Sequence, residues 1–126
     1  MFETVLFPID NSRQASETAA VALKLAQSHG SRLVILSVVE AEGAMQDPAA
    51  VAELLEQARE RFEQAGVSCE LIEREGKPAF VIGDVADEIN ADVIVMGTRG
   101  IALEDDTQST AARVIQLAPC PVLVVP

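Results

Sequence analysis

Apolar residues follow two different rhythms along this chain. Thr4-Val5-Leu6-Phe7-Pro8-Ile9, Leu33-Val34-Ile35-Leu36-Ser37-Val38-Val39, Asp92-Val93-Ile94-Val95-Met96 and Val122-Leu123-Val124-Val125 are short and almost continuously apolar. Runs of this length, rich in β-branched residues, predict strands buried on both faces. Val67, Cys69 and Leu71 instead alternate with Ser68 and Glu70, and Ile72 breaks the pattern. This more polar strand is expected at a sheet edge. Between the runs the spacing turns helical. Ala15, Ala19, Ala22, Leu23 and Ala26 share one face, after Asn11 or Ser12 as N-cap and before Gly30 as a stop. Val51, Leu54, Leu55, Ala58, Phe62 and Ala65 do the same, opened by Asp47 as N-cap with Pro48 in the first turn and stopped by Gly66. A third helix starts at Gly76-Lys77-Pro78 and turns Ile82, Val85, Ala86 and Ile89 inward. A fourth carries Ala111, Val114, Ile115 and Ala118 inward and is terminated by Pro119-Cys120-Pro121. Strands alternating with helices predict an α/β fold: one doubly wound domain over residues 1–126, with a parallel sheet covered by helices on both faces.

Composition narrows the function. A chain of 126 residues that is 49% apolar fits one domain with one buried sheet. Its net charge of −11 repels nucleic-acid backbones and anionic membranes, so DNA, RNA and lipid partners are not expected. The absence of Trp and Tyr removes the usual stacking platforms for single strands. Acids cluster from Glu53 to Glu75 among alanines, leucines and arginines, which reads as a solvated helix face followed by an exposed strand face. Cys69 and Cys120 lack CxxC spacing and are expected to be small buried apolar residues rather than a disulfide or zinc site. No leader pattern and no bilayer-length apolar run is visible, so a cytoplasmic location is expected.

Candidate chemistry gathers behind the run that ends at Met96. Gly97-Thr98-Arg99-Gly100 follows it directly. In open α/β sheets ligands sit outside the carboxyl ends of the strands. Glycines there let backbone N–H groups approach an anion, and a following helix N-terminus adds positive dipole. Arg99 can pair with a phosphate or with the acids that follow it. Those acids, Glu104-Asp105-Asp106, oppose the phosphate reading. Each carboxylate about 6 Å from a phosphate charge costs roughly 1–3 kcal/mol at an effective dielectric near 20–40. Their other use is to complement the dipole of the fourth helix, with Asp106 or Thr107 as N-cap. Asp105 and Asp106 have no further ligand nearby in sequence, so no metal site is assigned. Asp10 ends the first strand, where it serves either a ligand or an Asx turn. A response-regulator receiver would need a second adjacent acid, an Asp closing the third strand and a Lys after the fifth, and none is present. His29, the only histidine, sits at a helix end and reads as a dipole partner. No nucleophile–base pair, HExxH or Walker A pattern occurs, so no catalytic residues are assigned and the chain is not read as an enzyme; slow ATP hydrolysis is compatible with this reading.

Pro8-Ile9-Asp10-Asn11-Ser12, Ser37-Val38-Val39-Glu40, Gly76-Lys77-Pro78, Ala91 through Gly100 and Ala118 through Val125 occur in this order and spacing. Together they make the whole chain resemble the universal stress proteins. The resemblance implies a sheet of order 3-2-1-4-5 with two helices on each face. It also implies a small stress-response regulatory protein, commonly a homodimer, here expected to pair through the C-terminal strand. One branch of that family carries an ATP site with the pattern Gly-x2-Gly-x9-Gly-Ser/Thr. Gly97 and Gly100 match its first two positions. Aligned backward from Ala118-Pro119-Cys120-Pro121, Ser109 takes the hydroxyl position and Gln108 replaces the third glycine, in a loop two residues shorter; counted forward, Thr110 falls on the third glycine and Ala111 on the hydroxyl. Carried over residue by residue, the expected nucleotide contacts are Pro8, Ile9, Asp10 and Val38 at base and sugar, Gly97, Arg99, Gly100, Ser109 and Thr110 around phosphate, and Met96 beside them. The departures imply weak or no ATP binding; the alternative is an ATP- or AMP-binding sensor. No cofactor is required, and ATP, ADP or AMP with Mg²⁺ are the candidate ligands.

Overall fold

The computed structural model describes residues 2–9, 15–40, 47–98 and 110–126. In chain order the elements are β1 (Thr4–Pro8), α1 (Ala15–His29), β2 (Arg32–Val39), α2 (Pro48–Gln64), β3 (Cys69–Glu75), α3 (Pro78–Glu88), β4 (Val93–Gly97), α4 (Thr110–Leu117) and β5 (Val122–Val125). The five strands form one sheet in the order β3-β2-β1-β4-β5, and every pairing is parallel.

Strand alternation divides the core in two. Val5, Phe7, Leu33, Ile35, Val93 and Val95 face Ala19, Ala22 and Ala26 of α1 and Leu55, Ala58 and Phe62 of α2. Leu6, Val34, Leu36, Ile94 and Met96 face Ala79, Ile82, Val85 and Ala86 of α3 and Ala111 and Val114 of α4. Two helices therefore cover each face. The alanine stripe of α1 lets it lie close to the sheet, while Phe62 of α2 meets Phe7 edge to face, ring centroids 6.1 Å apart. Such aromatic pairs contribute about 0.5–1.5 kcal/mol beyond their burial. α2 opens as its sequence predicts: the Asp47 carboxylate accepts from the Ala49 N–H at 3.0 Å, and Pro48 occupies the first turn. At the amino end of the sheet Asp92 ties β4 to β1. Its carboxylate accepts from the Thr4 N–H at 2.8 Å, and its own N–H donates to the Thr4 carbonyl at 2.8 Å.

Three expectations are corrected. β3 begins at Cys69 and runs to Glu75, beyond the apolar positions, with Leu33 to Val39 of β2 in register with Cys69 to Glu75. Backbone pairing at an edge needs no apolar side chain, and Glu73, Arg74 and Glu75 stay in solvent. Ile115 does not turn inward; it is 56% exposed. α4 ends at Leu117 and commits only Ala111 and Val114 to the core. Arg113 stacks over Phe80 of α3 at 6.0 Å, and the Leu117 carbonyl lies nearest Gly83, so Ile115 falls on the flank away from α3. The cysteines are half-exposed rather than buried, because Cys69 opens an edge strand and Cys120 lies in the turn before β5.

Gly76 leads into α3 with φ +140°, and a Cβ there would stand 2.9 Å from Val81 Cγ2. Its N–H donates to the Val39 carbonyl, so the turn is tied to β2 and cannot relax freely. Gly76→Ala is therefore expected to lower stability by about 1–3 kcal/mol, read as a lower urea midpoint at unchanged m-value.

Candidate functional site

The carboxyl edge of the sheet is built by strand ends of unequal length. β1 pairs with β2 as far as Pro8–Leu36, and the Ile9 N–H still donates to the Leu36 carbonyl at 2.8 Å. β4 pairs with β5 as far as Gly97–Val125, and the Thr98 N–H reaches the Val125 carbonyl at 3.2 Å. Between these two halves, the registered pairs of β1 with β4 are only Val5–Val93 and Leu6–Ile94. Backbone pairing of β1 with β4 thus stops short of Pro8, which has no N–H to give, and Met96, and this is the place of the candidate crevice. The strand order also reverses here, with β2 and β3 on one side of β1 and β4 and β5 on the other. Open α/β sheets place ligands at such a switch point.

Alternation decides which of the sequence-predicted residues meet. Val38 and Met96 point to the α3/α4 face, and Pro8, two residues after Leu6, shares it. Ile9 packs with the opposite, α1-side cluster, so its side chain is separated from the other three and only its backbone stays at the edge. Gly97 closes β4 and Thr110 opens α4, next to core residue Ala111. Asp10, Arg99, Gly100 and Ser109 lie outside the described residues, as do Glu104 to Asp106 and the expected caps Asn11, Ser12 and Thr107. Ser37, between Leu36 and Val38, faces away from the crevice; its Oγ is buried with no hydrogen-bond partner among the described residues.

Two features of this edge were missed as site features. α3 begins here at Pro78 with Lys77 as N-cap; among the described residues no side chain caps its first amides, and no acid lies in its first turn. That end of the helix presents positive dipole and free N–H groups together with a lysine. The signal lies in Gly76-Lys77-Pro78, a helix start and a family-like segment to which the sequence reading gives no ligand role. The second is Glu40, just past β2, whose carboxyl burial pushes above the usual carboxylate range. An acid directly after a run of buried strand residues was the available signal. The other reactive types sit elsewhere: His29 ends α1 and packs edge to face on Phe2, and Cys69 and Cys120 lie at the amino end of the sheet. Burial pushes both thiols up, with Glu63 adding to the effect at Cys69 and Asp92 at Cys120. Among the described residues no cluster of three His, Cys, Asp or Glu could hold a metal. No described helix is long and apolar enough to cross a membrane.

The sequence profile of the universal stress protein family matches residues 1–126. The chain belongs to that family. A universal stress protein of Synechocystis sp. is 52% identical to it, in an alignment that covers 100% of this chain and 87% of the relative. Among solved structures, a universal stress protein in complex with cAMP superposes with a TM-score of 0.83 at 23% identity, covering 98% of this chain and 96% of the other. A universal stress protein from Archaeoglobus fulgidus in complex with dAMP does so with a TM-score of 0.73 at 23% identity, covering 100% and 98%. At that identity the likeness of the two structures to this universal stress protein is one of fold.

Because burial disfavours the charged form of Glu40, folding favours its protonated form. The stabilising contribution is present below the ordinary carboxylate pKa and is lost as pH rises through the raised folded value. At neutral pH the ionised group is a cost. Glu40→Gln is expected to raise the urea midpoint at about pH 7, and the gain should shrink toward about pH 4.

Proposed function

We propose that this universal stress protein is a cytosolic regulatory module, acting as a homodimer, whose crevice between β1 and β4 takes an adenine nucleotide weakly. A nucleotide with one phosphate binds more readily than ATP. The observation that carries the reading is the crevice itself: Pro8, Val38 and Met96 on one face, with the uncapped start of α3 and the start of α4 on the same side of the sheet. Apolar side chains there suit a base, and helix N-termini suit a phosphate. The cAMP and dAMP complexes of the two structural neighbours support a ligand with a single phosphate. The three consecutive acids Glu104, Asp105 and Asp106 precede α4 in the sequence, and Gln108 replaces a glycine of the family pattern. Both weigh against a triphosphate. In this proposal Asp10 and the Val38 backbone serve base and sugar, and Gly97, Arg99, Gly100, Ser109 and Thr110 serve phosphate.

Calorimetry of the purified protein without Mg²⁺ tests this. ATP is expected to bind at high micromolar concentration or more weakly, about −5 kcal/mol or less favourable. AMP should bind at least as tightly. Replacing both Asp105→Asn and Asp106→Asn should strengthen ATP binding by about ten-fold or more while leaving AMP nearly unchanged. A sub-micromolar constant for ATP, or ATP far tighter than AMP, defeats the proposal.

Support for the homodimer lies at β5. This edge strand is short and apolar, with Leu123 40% exposed on the α1 side of the sheet and Ile115 exposed on α4. An uncovered apolar edge favours pairing with a second copy about a two-fold axis. Light scattering at tens of micromolar is expected to give a dimer without nucleotide. Leu123→Lys, Val124→Asp or Ile115→Lys should shift it toward monomer; a wild-type monomer, or a dimer indifferent to all three, overturns this interface.

A further inference from the structure

The amino end of the sheet, opposite the crevice, holds a hollow of about 640 Å³ that a nucleotide function leaves unused. α1 and α2 both end beside it, and β2 and β3 begin there. Its walls are low: Gly30 and Gly66 carry no side chain, and a Cβ on either would meet no atom within 4 Å. Gln27 holds the two helix ends together, its Nε2 donating to the Ala65 carbonyl at 3.0 Å. Ala26 and Val67 make an apolar floor, only 2% and 9% exposed. Cys69 adjoins them as a neutral thiol that partial burial pushes further from ionising, so the floor carries no charge.

Charge is confined to the rim. Arg32, the first residue of β2, grips Glu70 of β3 through Nε and through Nη2, which donates to Oε1 at 2.9 Å. The two side chains are 45% and 54% exposed. An ion pair that open to water adds little to stability and exchanges partners readily. Nη1 takes no part in the pair and remains to reach another carboxylate. The C-terminal ends of α1 and α2 contribute negative partial charge to the same hollow, which favours an ammonium. A lone carboxylate would meet those dipoles unfavourably, and a lone amine would meet Arg32. A molecule carrying both groups satisfies both sides. The volume lies within the range of small-molecule sites, about 300–1,000 Å³.

We propose that this hollow binds a small zwitterion of the free amino-acid class, with its carboxylate on Arg32, its ammonium between Glu70 and the ends of α1 and α2, and an apolar side chain over Ala26 and Val67. The site is independent of the nucleotide proposal and lies at the other end of the sheet.

L-Leucine titrated into the full-length protein, followed by backbone amide chemical shifts, tests it. Saturable shifts are expected at Gly30, Ser31, Gly66 and Ser68, with half-saturation in the low millimolar range or below, about −4 kcal/mol. Isocaproate and isoamylamine, which keep the alkyl chain but only one charged group each, should bind at least about ten-fold more weakly. Arg32→Gln and Glu70→Gln alter half-exposed side chains; with urea midpoints near wild type, each should weaken leucine about ten-fold. Absence of saturable shifts by about 10 mM, equal binding of the three compounds, indifference to both substitutions, or shifts centred on Val38 and Met96 would overturn the proposal.

Discussion

β1 sits in the middle of the sheet with Val5, Leu6 and Phe7 essentially without solvent contact, and this two-sided burial is the constraint on which the other elements depend. A strand buried on both faces needs a helical layer above and below. The chain supplies α1 and α2 on one face and α3 and α4 on the other. To do so it must lay β2 and β3 on one side of β1 and then cross to lay β4 and β5 on the other. The reversal opens the crevice. Asp92 ties the amino ends of β1 and β4 together through two contacts with the Thr4 backbone.

Most of the fold was legible because strands and helices here obey different periods. The strands buried on both faces stood out as runs, and the alanine stripe of α1 and the Asp47–Pro48 start of α2 needed no tertiary information. The errors fall where local pattern stops deciding. β3 is an edge strand held by backbone pairing to β2, so Glu73 to Glu75 belong to it although nothing apolar marks them. Ile115 fits a helical stripe on paper, yet Arg113 stacks over Phe80 of α3 and leaves Ile115 on the opposite, exposed flank. Cys69 and Cys120 were judged by residue type, whereas their place at an edge and in a turn sets their exposure.

The site was legible in part for the same reason. A period of two puts Val38 and Met96 on the α3/α4 face, and it also sends Ile9 to the other face, a separation that the contiguous motif Pro8-Ile9-Asp10 conceals. Lys77 and Glu40 carry local signals in the sequence, but only the placement of the helix start and the strand end at one edge brings them to the candidate site. Sequence spacing gives their neighbours along the chain, while the topology gives their neighbours in space. The carboxyl edge thus combines an uncapped, cationic helix start with a carboxylate that burial makes reluctant to ionise.

The two borders of the sheet differ in kind. On β3 the backbone is flanked by Glu70, Glu73, Arg74 and Glu75, with Arg32–Glu70 and Arg74–Glu88 bridging to neighbouring elements. On β5 the flanking side chains are Val122 to Val125. A strand docking against β3 would have to desolvate fixed charges, whereas one docking against β5 would not. Sheet growth is therefore polar: it can begin at one border and has no second border from which to continue. Two copies joined through β5 would present charged margins on both outer sides. In such a pair the asymmetry would make association self-terminating and would keep a sheet of strongly apolar strands from open-ended stacking into fibres.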